Sequence, residues 1–128
     1  MPDVIRLVTH AELEEATTND RQLSVSARLE AVLADGRSVV LLDDRGWSQS
    51  GPPGIRRYVT AEQIEATART VVGPDEPFGG RTWEQMEDDH WGHLAGLLRH
   101  RGVDVTGGQL ARLPHDVVLG ERLRAWLA

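Results

Sequence analysis

Ser38-Val39-Val40-Leu41-Leu42-Asp43-Asp44-Arg45-Gly46-Trp47-Ser48 is the stretch on which the reading of the chain turns. Four apolar residues in succession, two of them β-branched, predict a buried strand over Ser38–Asp43. The run stops at two carboxylates, an arginine, a glycine and a tryptophan. Arg45 to Gly54 holds three glycines and the Pro52-Pro53 pair, and reads as a loop. A loop rooted on a strand has a rigid base, so its side chains are held ready for a partner.

Upstream, Val4–Val8 reads as an opening strand. Thr9-His10-Ala11-Glu12 fits a capping box and predicts a short acidic helix to about Ala16. Thr17–Gln22 is a polar connection. Ser24 then caps a second predicted helix, with Val25, Leu29, Val32 and Leu33 on one face and Asp35-Gly36 at its end. Strand, helix and strand in that order predict a parallel pair joined by a right-handed crossover.

Downstream, Ile55–Val59 alternates and predicts a third strand, with an antiparallel place beside Val39–Asp43 open to it. Thr60-Ala61-Glu62-Gln63 is a second capping box. Its helix carries Ile64, Ala68, Val71 and Val72 and is stopped by Gly73-Pro74, with a short strand at Thr70–Val72 as the alternative. Asp75–Gly80 reads as loop. Thr82-Trp83-Glu84-Gln85 opens a long helix to Arg101, closed by Gly102, with Trp83, Met86, His90 or Trp91, Leu94, Leu97 and Leu98 as its apolar stripe. Gly92 and Gly96 each weaken that helix by up to about 1 kcal/mol relative to alanine, which favours a kink near Gly92. Val103–Val105 reads as a short strand and Gln109–Leu113 as a helical turn ended by Pro114. His115–Leu119 is strand or helix, and Glu121–Leu127 is an amphipathic helix. Together these predict one α+β domain over residues 1–128, a small mixed sheet of three to four strands packed on amphipathic helices.

Composition narrows the chemistry. A chain of 128 residues can bury a real core. It has no cysteine, which removes thiol catalysis, disulfides and thiolate metal sites. All 14 basic residues are arginine and the net charge is −6, a field that repels nucleic acid and anionic membranes and attracts basic surfaces. No apolar run approaches a membrane span. The start Met1-Pro2-Asp3-Val4-Ile5-Arg6 carries an early acid and no long apolar region, so it does not read as a secretory signal, and a cytoplasmic location is expected. Acids concentrate between Asp75 and Asp89, where Asp75, Glu76, Glu84, Glu87, Asp88 and Asp89 face Arg81 alone.

Candidate sites follow from these patterns. On a helix, Asp89, His90 and His93 have spacing that could bind a divalent metal, with His115 as a distant ligand, although the pattern is not His-Glu-x-x-His. Adjacent Asp43 and Asp44 point to opposite sides of an extended chain and do not form a catalytic pair. The glycine loops at Gly51–Gly54 and Gly79–Gly80 match no phosphate cradle, and Gly107-Gly108 reads as a turn. No serine elbow is present. Among the four tryptophans, Trp83, Trp91 and Trp126 lie in predicted helices and read as core or half-buried. Trp47, in the predicted loop, reads as a lid on the core or as a binding anchor beside Arg45. The arginine pairs Arg56/Arg57, Arg99/Arg101 and Arg122/Arg124 read as solvated faces.

In general character over its whole length, a small, cysteine-free, acidic α+β chain with a charged, aromatic loop resembles the immunity proteins of bacterial contact-dependent inhibition and related polymorphic toxin systems. The resemblance implies a cytoplasmic, non-enzymatic inhibitor of a toxin domain, often a nuclease with a basic cleft, and it carries over no individual residues. Charge complementarity independently selects Asp43, Asp44, Arg45 and Trp47 with Glu84, Glu87, Asp88 and Asp89 as partner-binding residues. The reading expects a protein partner, no nucleic acid, no membrane, no catalytic residue, no cofactor and no metal. Its alternatives are a small metal-dependent enzyme using Asp89, His90 and His93, and a small-molecule-binding accessory domain in which Trp47 closes a pocket.

Overall fold

The computed structural model describes residues 3–128; Met1 and Pro2, the first residues of the segment read as lacking a secretory signal, lie outside the described residues. Three long strands, β1 (Val4–Leu13), β2 (Gln22–Leu33) and β3 (Ser38–Ser50), run as an antiparallel meander. Three helices follow, α1 (Ala61–Val71), α2 (Trp83–His100) and α3 (Gly107–Ala111). The chain then adds β4 (His115–Leu119) and ends in α4 (Glu121–Leu127). The sheet order is β3-β2-β1-β4, and β4 lies parallel to β1. The fold is α+β, with a mixed sheet and amphipathic helices, as the residue pattern predicts.

The first third of the chain departs from expectation. Leu23, Val25, Ala27, Leu29, Ala31 and Leu33 are all buried and alternate with Ser24, Ser26, Arg28, Glu30 and Val32, so β2 carries a two-residue period along its whole length. Val25, Leu29, Val32 and Leu33 also satisfy a helical spacing, which is how the segment presents as a helix. Each fully buried leucine of the strand contributes about 1.5–3 kcal/mol, and a helix would have turned half of the set away from the core. The same alternation overturns the predicted helix at Thr9–Ala16. Leu7, Thr9, Ala11 and Leu13 face inward from β1, and only a 3-10 turn at Glu15–Thr17 follows. With no helix between the strands, the expected parallel crossover between Val4–Val8 and Ser38–Asp43 is replaced by hairpins.

Asp35-Gly36 is a hairpin turn, where Leu33 N–H donates to Arg37 O and Gly36 takes φ 90°. The Asp35 carboxylate accepts from Arg37 N–H (3.0 Å) and from Arg37 Nε–H (2.7 Å), which hold its pKa below the ordinary carboxylate value, the backbone donor first. β3 extends to Ser50, beyond the Asp43 boundary and into the predicted loop, of which Gly51–Gly54 remains irregular. Ile55–Val59 is not a strand; it follows Gly54 at φ 78° as a 3-10 turn that buries Ile55 and Val59. Val103–Val105 is irregular, with both valines buried, and Thr70–Val72 belongs to the end of α1. His115–Leu119 is strand.

The helical half follows its local signals. Thr60 and Thr82 close true capping boxes with Gln63 and Gln85, and Thr106 closes a further one with Gln109. The core falls in two clusters on one face of the sheet. Leu7, Leu29, Leu33 and Leu41 meet Leu94, Leu98 and Leu110; Ala11, Leu23 and Val25 meet Ile55, Ile64, Ala68 and Leu123. All four helices therefore lie on that face. The other face carries Arg6, His10, Arg28, Glu30, Asp116 and Val118 toward solvent, with ion pairs Arg6–Asp116 (3.0 Å) and His10–Glu30 (2.8 Å). Among the described residues no helix is long and apolar enough to cross a membrane.

Candidate partner-binding surface

The residues singled out around Trp47 sit in a strand, and the pleat divides them. Arg45 and Trp47 stand opposite Ala27 and Val25, both core residues, so they turn toward the helices. Trp47 is half-buried against both clusters and donates Nε1–H to Gln49 Oε1 at 3.3 Å. Its indole closes the core, which removes the loop reading. Arg45 donates from Nη1 to Val71 O at the end of α1 (3.2 Å) and lies 3.6 Å from Asp75 Oδ1 and 3.9 Å from Asp44 Oδ1. The guanidinium thus joins the two acidic stretches, Asp43–Asp44 and Asp75–Asp89, at one point. Asp43 and Asp44 remain exposed at the middle of β3, where the β2–β3 register slips.

A second link reaches the same helix end. His90 of α2 donates Nε2–H to Val72 O at 2.8 Å and stacks edge-on with Trp91. Burial pushes the His90 pKa down, the Val72 carbonyl opposes the shift, and the nearby Arg45 adds to it. The carbonyls at the end of α1 are therefore satisfied by an arginine from β3 and an imidazole from α2.

The rest of the acidic segment lies on α2. Glu84, Glu87 and Asp88 are exposed, and among the described residues no cation pairs with them. Asp89 is paired with Arg81, whose guanidinium also stands 6.0 Å from the Phe78 ring centre. Glu84, in the first turn of α2, is also favoured by the helix dipole. Trp83 departs from the expected half-buried state: it is 57% exposed, and Phe78, in the turn before α2, is 64% exposed. The periodicity places Trp83 beside Met86 but cannot say that the core ends at Met86. The polar neighbours Arg81, Thr82, Glu84 and Gln85 are the signal that marks an open position.

The metal arrangement does not form. His90 Nε2 is committed to Val72, while His93 is exposed on the same helix. His115 lies on β4, with Nε2 2.6 Å from the buried Thr9 hydroxyl. Burial, then Arg69, holds its pKa below the ordinary value. Among the described residues no three His, Asp or Glu side chains converge to hold a metal ion. Gly107 packs against α2, where a side chain would meet Gly92 N at 2.7 Å, and the Thr106–Gln109 box satisfies the start of α3. Beside it, Glu87, Asp88, Trp91 and Ala111 line a shallow cleft of about 220 Å³. What the surface offers is charge and aromatic area. Comparisons with protein-family models, with curated proteins and with solved structures gave no match, so geometry and charge carry the functional reading alone.

Proposed function

We propose that the protein is an acidic, non-enzymatic binding domain that acts in the cytoplasm as an immunity-type inhibitor of a basic toxin domain. One observation carries the reading: Phe78 and Trp83 stand open to solvent at the entry to α2, next in the chain to the carboxylates of Glu84, Glu87 and Asp88, which no cation pairs among the described residues. Exposed aromatic side chains supply most of their binding energy once a partner covers them. A surround of carboxylates steers a cationic partner to the spot and rejects anionic ones.

The test is co-expression with the toxin domain encoded next to this chain, followed by stopped-flow association of the purified pair. Protection of growth is expected. Charge reversal at Glu84, Glu87 and Asp88 should slow association by about tenfold or more and flatten its salt dependence, while Trp83→Ala should act through dissociation, at about 2 kcal/mol or more. No toxin reading frame beside the gene, or no protection by the wild-type chain, would overturn the inhibitor reading.

A further inference from the structure

β3 is the longest strand and stands at the edge of the sheet. It pairs with β2 alone, and among the described residues none of its backbone groups hydrogen-bonds outside that ladder. On either side of the slipped register between Val40 and Arg45, every second residue therefore sends an amide and a carbonyl outward. Natural edges are guarded by proline, lysine, shortness, bulges or inward-pointing charge; Ser38–Ser50 is long and contains neither proline nor lysine, and its bulges and the inward-turned Arg45 are confined to Val40–Arg45. The opposite edge differs. β4 has five residues, and Arg69 Nε–H donates to its His115 carbonyl at 3.2 Å.

The open edge has a charge. Arg45 is turned in to Val71 and Asp75, so the middle of β3 offers Asp43 and Asp44 outward, while Val40, 46% exposed, offers an apolar neighbour nearer its start. A second copy fits this edge poorly. Antiparallel pairing of two β3 strands about their centres sets Asp43 and Asp44 of each chain beside those of the other, and like charges facing across strands repel. A strand with arginine or lysine at those positions meets opposite charge instead.

We infer that β3 is a docking edge for an extended, basic segment of a protein partner, which adds as a fifth strand with its cations against Asp43 and Asp44 and a β-branched residue against Val40. The inference rests on the reading of this chain as a binder of basic protein, and it assigns that binding a second surface and a mode.

The probe is a blocked synthetic peptide alternating valine with lysine, titrated into the isotope-labelled full chain. Saturable shifts and slowed amide exchange confined to Ser38–Ser50, with protein–peptide cross-strand contacts, are expected. Asp43→Lys with Asp44→Lys should weaken binding by roughly tenfold while the remaining amide spectrum certifies the fold. Shifts on Glu84–Asp88 in place of β3 would overturn the docking edge and leave the acidic-binder reading standing, and absence of saturable binding would overturn the edge alone. Protection of β3 in the free protein together with a dimer mass would assign the edge to a second copy and also overturn the proposal. Failure of growth protection, measured separately, strikes the inhibitor reading.

Discussion

Glu12 shows how one side chain can tie distant parts of the chain together. Its Oε1 accepts from its own neighbour Leu13 N–H (2.8 Å) and from Leu123 N–H (2.9 Å), and so caps α4 from another strand. Gly120, at the N-cap of α4, has no side chain to do this, and a Cβ there would overlap the Glu12 carboxylate. Glu12→Ala should cost about 1 kcal/mol in urea unfolding. Gly120→Ala should cost a similar amount because it pushes the carboxylate off Leu123, and should cost little in the Glu12→Ala background; simple additivity of the pair would refute the cap. The two half-buried histidines predict a pH effect. His90 and His115 both have folded-state pKa values below 6.5, so the unfolded chain binds protons more readily. Their contribution is complete above pH 6.5 and is lost as pH falls through the folded values. Urea midpoints should therefore drop between pH 7.5 and pH 5, a window above the titration of Asp35, and the slope should shrink in His90→Gln and His115→Gln.

Elements differ in how far their own residues announce them. The helices at Thr60 and Thr82 are legible because a capping box is satisfied within four residues, and Gly73-Pro74 and Gly102 end them for local reasons. Thr9-His10-Ala11-Glu12 has the same signature, yet its threonine bonds His115 and its glutamate caps α4, partners more than a hundred residues away. β2 was readable from six alternating apolar positions with Asp35-Gly36 behind them, but four of the same stretch fit a helical face equally well. The candidate surface divides likewise. Exposed acids on α2 are visible in composition, whereas the inward turn of Arg45 and Trp47 depends on the β2–β3 register and the openness of Trp83 on where the core stops. Two glycines test the elements directly. A side chain at Gly46 would meet Val25 O at 2.6 Å, so Gly46→Ala should destabilise the β2–β3 pairing by about 1–3 kcal/mol. Gly92 lies within α2 with nothing within 4 Å of a Cβ, so Gly92→Ala should stabilise by about 0.5–1 kcal/mol. Thermal unfolding of the two variants should move in opposite directions.

At the scale of the molecule, the helices cover one face of the sheet, and two of its acidic surfaces are the middle of β3 and the solvent side of α2. The association tests of the two acidic surfaces belong here, because long-range steering reports the summed field of the molecule as well as any one contact. The connectivity has its own effect. β1 gains its second neighbour only from β4, after α1, α2 and α3 have been made, and α4 closes over it through Glu12. During synthesis the meander can assemble as soon as Ser50 has left the ribosome, but the flank of β1 then stays bare until His115–Leu119 emerges. A nascent chain stalled before His115 is therefore a ready target for chaperones or for misassociation, and emergence of β4 and α4, more than pairing of the first hairpins, is the event that completes the sheet.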